Sequence, residues 1–112
     1  MKFEVIFYET STQNPVRDFI VSLDEKTQLK LVALLEALEN NPFGLKEFSK
    51  KLTSNLYELR LQHLKKWIRI IYSFEKNRII ILLHGFIKKE NKTPKREIEN
   101  AEKRLSDFRS KR

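Results

Sequence analysis

Apolar residues first recur at every second position. Phe3, Val5 and Phe7 share one face, and Lys2, Glu4, Ile6 and Tyr8 the other, which predicts a strand. The period then lengthens. Asn14 suits a helix cap and Pro15 its first turn, and Val16, Phe19, Ile20 and Leu23 make one apolar stripe. Asp24 is placed to cap a second helix, in which Leu31, Leu34, Leu35 and Leu38 repeat the spacing until Pro42 and Gly44 interrupt it. Two helices with almost no connection predict an antiparallel helical hairpin.

From residue 46 the period returns to two. "KEFSKKL" predicts a short, weak strand. In "LYELRLQ", Tyr57, Leu59 and Leu61 oppose Glu58, Arg60 and Gln62. "HLKK" is a turn of modest quality. In "WIRIIYSFE", Ile68, Ile70, Tyr72 and Phe74 oppose Trp67, Arg69, Ile71 and Ser73. "KN" predicts a tight hairpin turn. "RIIILLHGFIKK" is apolar on both faces and reads as the central strand. Thr93 is expected to cap a last helix with Pro94 at its first position and Ile98, Ala101, Leu105 and Phe108 as its buried stripe. The expected fold is therefore α+β. It has an antiparallel sheet, an N-terminal helical hairpin on one face and a C-terminal helix, in the order β-α-α-β-β-β-β-α.

A chain of 112 residues suffices for one domain, expected to span 1–112. With no cysteine there is neither a disulfide framework nor a thiolate metal ligand. The two histidines, His63 and His84, lie far apart in sequence, so neither a metal nor another cofactor is expected. No apolar run has membrane length, and the alternating N-terminus is unlike a secretory signal. A cytoplasmic protein is the expectation.

Charge changes the picture more than composition does. The net charge is +8. Residues 1–45 carry four basic and seven acidic groups, residues 46–84 nine and three, and residues 85–112 ten and five. The positive excess thus lies in the later two-thirds, which suggests a polyanionic partner such as nucleic acid; solubility alone is the blander account. If the helical hairpin covers one sheet face, the other is partly open, and Arg60 and Arg69 can both point out of it. Lys88, Lys89 and Lys92 emerge where the long apolar strand ends, beside a helix N-terminus with free N–H groups. Together these could make an anion-binding cleft. Strand alternation sends Lys88 and Lys89 to opposite faces: Lys88 with Leu82, His84 and Phe86, and Lys89 with Leu83, Gly85 and Ile87. Periodicity does not say which of the two enters the cleft. Lys65, Lys66, Lys95 and Arg96, with Lys50 and Lys51, form the expected phosphate-binding rim. For Trp67, packing as a cap on the hairpin is the commoner reading and stacking on RNA the other. His84 reads first as a satisfied core histidine.

"LYELRL", "WIRIIYSF", "RIIILLHGFIKK" and "KTPKREIENA" resemble the RelE/ParE superfamily of type II toxins, and most of all its phage-derived, HigB-like branch. The resemblance runs over nearly the whole chain. It implies a small sheet with helices on one face and a basic active cleft on the other. It also implies a toxin paired with a helix-turn-helix, HigA-like antitoxin. Many such toxins cut messenger RNA on the ribosome; the ParE-like ones poison DNA gyrase instead. A third reading is a basic nucleic-acid-binding module. For a ribosome-dependent, metal-independent endoribonuclease, Arg60 and Arg69 would stabilise the transition-state phosphate. Lys88 or Lys89 would serve as base or leaving-group acid, its pKa lowered by cationic neighbours. Tyr72 matches a tyrosine of the family's corresponding strand, which would make it catalytic, whereas its place beside Ile68, Ile70 and Phe74 favours the core. The histidine-plus-acid set of some ribosome-dependent relatives is not evident in this sequence.

Overall fold

The computed structural model describes residues 2–111. Eight elements follow in order: β1 Glu4–Phe7, α1 Pro15–Val21, α2 Glu25–Asn40, β2 Ser49–Lys51, β3 Tyr57–His63, β4 Lys66–Glu75, β5 Ile79–Ile87 and α3 Lys95–Ser110. The α+β architecture is that expected from the hydrophobic pattern. Among the described residues, no helix is long and apolar enough to cross a membrane.

The five strands form one sheet in the order β1-β5-β4-β3-β2. Strands β2 to β5 make an antiparallel meander, but β1 lies parallel to β5, so the sheet is mixed. An alternating strand presents the same two faces whichever way it runs, and the sequence pattern is blind to this distinction. The middle position belongs to β4, with β5 next to it and buried on both faces.

Two cores flank the sheet. On one side, Val16, Ile20, Leu31, Leu35 and Leu38 of the helical hairpin pack on Leu59, Ile68, Ile70, Tyr72, Ile80 and Leu82. On the other, Ala101 and Leu105 of α3 pack on Tyr8, Ile71, Ile81, Leu83 and Phe86. The last helix therefore covers part of the face that the sequence left open. Its N-cap is Pro94, whose carbonyl accepts from Glu97 and Ile98, and Thr93 stands one residue outside. The N-terminal caps do form: Asn14 accepts from the amide of Arg17, and Asp24 from that of Thr27.

Two local features set the phase of the sheet. Between β4 and β5 the register slips: Tyr72 pairs with Leu82 and Ile71 with His84, leaving Leu83 as an extra residue. This bulge reverses the alternation along the rest of β5. Leu82 faces the hairpin, whereas Phe86 faces α3 beside its partner Arg69. The β3–β4 turn is the second feature. Leu64 and Lys65 both adopt positive φ, 52° and 63°, as a two-residue turn between His63 and Lys66 requires. Neither residue type favours that conformation.

Gly85 faces the first helix at close range. A Cβ at that position would lie 2.4 Å from Cδ2 of Phe19 and 3.1 Å from Cδ1 of Ile70. Gly85→Ala is expected to lower stability by about 1–3 kcal/mol, the usual range for overpacking. Urea unfolding should show a lower midpoint at unchanged slope, with part of the loss recovered when Phe19→Leu is added.

Candidate active site

The strands bring Arg60 and Arg69 directly opposite each other across β3 and β4. Like charges so placed repel. A carboxylate between them resolves the conflict: Oε1 of Glu58 lies 3.4 Å from Nε of Arg69 and 3.8 Å from Nε of Arg60. Glu58 is 1% exposed, and its other oxygen, Oε2, accepts a short hydrogen bond from the Thr93 hydroxyl. Thr93 thus ties the loop between β5 and α3 to the sheet instead of capping the helix. Neither Glu58 nor Thr93 stands out in the sequence. The usable signal was the conflict itself, two arginines expected on one sheet face with Glu58 as the acid beside them.

The two arginines differ in access. Arg60 keeps its side chain 38% exposed. Arg69 is buried; its Nη1 donates to the Ile68 carbonyl at 2.9 Å, and its guanidinium carbon lies 5.8 Å from the centre of the Trp67 ring. Burial pushes the Arg69 pKa down, Glu58 partly offsets this, and Arg60 adds to it. Arg69 therefore acts through its charge on neighbouring groups, and Arg60 is the fork able to meet a phosphate directly.

The bulge decides between the two lysines. Lys88 follows Phe86 onto the face of Arg69, and its amide donates to the Trp67 carbonyl at 2.7 Å. Desolvation lowers the Lys88 pKa first, and the charges of Arg69, Arg60 and Lys50 lower it further, against an opposing pull from Glu58. Lys89 points into solvent. Three of the five candidate catalytic groups, Arg60, Arg69 and Lys88, thus share one electrostatic neighbourhood.

Tyr72 does not join them. It is 1% exposed on the hairpin face of the sheet, stacked on Tyr57 at 5.7 Å between ring centres. Burial raises its pKa to about 12, and it cannot exchange protons with a ligand on the opposite face. His84 lies under α3 with both ring nitrogens engaged, Nε2 by Glu97 at 2.8 Å and Nδ1 by Arg104 at 3.0 Å.

The expected rim is divided. Lys92, Lys95 and Arg96 are exposed around the start of α3. Lys88, Lys89 and Arg96 line a hollow of about 270 Å³ there, together with Glu90 and Glu97. Lys65 is exposed at the tip of the β3–β4 turn. Lys66 faces the helical hairpin, where it pairs with Asp24 at 3.4 Å. The Asp24 carboxyl is held at about 2, chiefly by the Thr27 hydroxyl and further by Lys66.

Residues 18–106 match the family described as Phage derived protein Gp49-like (DUF891), and the chain belongs to that family. It is a family of RelE-like, toxin-like proteins associated with the toxins of toxin–antitoxin systems. No curated protein matches the chain.

Removal of Glu58 should reveal its role as a shared counter-ion. Glu58→Ala leaves the buried Arg69 without a counter-ion and is expected to lower stability by about 3–5 kcal/mol. Thr93→Val removes one hydrogen bond and should lower it by about 1–2 kcal/mol. Chemical denaturation of both variants checks the order; equal losses would mean that the ion pairs contribute little.

Proposed function

We propose that this protein is the toxin of a type II toxin–antitoxin system, of the HigB-like branch. In this reading the chain is a single domain and acts in the cytoplasm as a ribosome-dependent messenger RNA endoribonuclease, inhibited by a helix-turn-helix antitoxin. Its family supports the toxin role. The observation that carries the enzymatic part is the Lys88 amine, whose pKa is lowered by burial and by the charges of Arg69 and Arg60 on the same sheet face.

Cleavage of RNA without a metal needs three things: removal of the 2′-OH proton, neutralisation of the phosphorane oxygens and a proton for the departing 5′-oxygen. A lysine at its ordinary pKa of 10.5 holds its proton too tightly to act as a base near neutrality. Lowering that value lets neutral Lys88 take the 2′-OH proton. The oxygen then attacks its own phosphorus, the bond to the 5′-oxygen breaks as that oxygen takes a proton from solvent water, and a 2′,3′-cyclic phosphate and a 5′-hydroxyl remain. The Arg60 fork binds the phosphorane oxygens, and buried Arg69 adds positive potential beneath. Lys89, Lys92, Lys95 and Arg96 hold flanking phosphates.

Induction in a bacterium should stop growth, and new messenger 5′-ends should map inside translated codons. Arrest with intact messages and a DNA-damage response would transfer the target to gyrase. Lys88→Ala is expected to slow cleavage by about 10²–10⁴-fold, the usual range for losing an acid–base group. Wild-type cleavage should rise with pH as the ammonium deprotonates, at lower pH than an ordinary lysine would allow, and Lys88→Arg should flatten that limb. A pH profile that survives Lys88→Arg would remove Lys88 as the base.

A further inference from the structure

Trp67 is the one tryptophan of the chain. It lies at the start of β4 and is 48% exposed. A single exposed apolar residue is ordinary. This one is held in place: the Arg69 guanidinium lies against its ring, and its carbonyl accepts from Lys88. The backbone of Trp67 is thus tied to β5 and its indole rests against Arg69, while about half of the residue stays in solvent.

Two hollows share that ring. One, of about 380 Å³, is lined by Trp67, Phe48, Arg60, Arg69 and Gln62, among others. Phe48 is also 40% exposed. The second hollow, of about 150 Å³, lies between Trp67, Lys88, Lys89, Glu90 and Asn91. Aromatic surface and cations thus lie together in two hollows that share one ring, where four cations outnumber the acids Glu47 and Glu90. A flat π-face with a phosphate-binding group to either side fits an unpaired nucleobase and its two flanking phosphates. An acidic peptide would use the cations but would have no use for the indole face.

We propose that Trp67 is the stacking platform for one unpaired nucleobase. The base lies in the larger hollow, with Phe48 beside it and the Gln62 amide at its edge. Arg60 holds one adjoining phosphate and Lys89, in the smaller hollow, the next. The proposal rests on the reading of the protein as an RNA-cleaving toxin, and it names a base-binding position within that site.

Because there is one tryptophan, its emission reports the contact directly. At low salt, hexaadenylate should quench Trp67 fluorescence saturably, and a polyphosphate chain of similar charge should not. Equal quenching by both, or none by hexaadenylate, would overturn the platform. By polarisation of a labelled hexamer, Trp67→Phe should bind within about threefold of wild type. Trp67→Leu should bind roughly 5- to 100-fold more weakly at unchanged helical content. Wild-type affinity in Trp67→Leu would also overturn it. The quenching measurement needs no variant, so a poorly folded Trp67→Leu leaves the test intact. Base-dependent quenching without message cleavage would remove the nuclease reading and keep the platform. Absence of quenching in the wild type, with cleavage that persists in Trp67→Leu, would do the reverse.

Discussion

One buried carboxylate holds the charged end of this molecule together. Glu58 neutralises two guanidinium groups that face each other across adjacent strands, and it takes the Thr93 hydroxyl from the loop leading into α3. Without it, Arg69 would be a buried charge lacking a counter-ion, at a cost of several kcal/mol. With it, three segments distant in sequence meet at one carboxyl group. The loop that carries the lysines is thereby fastened to the strands that carry the arginines.

The positive groups around Glu58 outnumber it, and that imbalance has a chemical consequence. Arg60, Arg69, Lys50 and Lys88 act on one another around a single acid, so the site disfavours protonation of its least accessible amine. A polyanion entering the site would supply the missing negative charge. Affinity for phosphate and a lowered lysine pKa thus have the same origin. The aromatic surface of Trp67 lies at the edge of this field, where a base could be held while its phosphates are gripped.

Position within the sheet depends on the bulge as much as on charge. One extra residue in β5, Leu83, moves Phe86 and Lys88 to the face of Arg69. A strand without it would send Lys88 towards the helical hairpin and Lys89 towards the arginines. Gly85 lies two residues beyond the bulge, where a Cβ would press on the Phe19 ring. Close packing on one face and the placement of a cation on the other are therefore set within four consecutive residues.

Periodicity determined a great deal from sequence alone: the number and kind of elements, their order, the faces of β1, β3 and β4, and the apolar stripe of each helix. Those properties are local, because burial of one face imposes a repeat of 2 or 3.6 residues whatever lies opposite. It also placed Arg60 and Arg69 on one face. Tertiary structure alone decided the parallel pairing of β1, the position of α3 over part of the second face, the burial of Arg69 and the attachment of Thr93 to Glu58, whereas the burial of Tyr72 followed from its place beside Ile68, Ile70 and Phe74. Each depends on which strand or loop arrives from far along the chain. The choice between Lys88 and Lys89 was hidden for a narrower reason. A bulge changes the phase of a strand without changing its composition, and only the hydrogen-bonded partner reveals it.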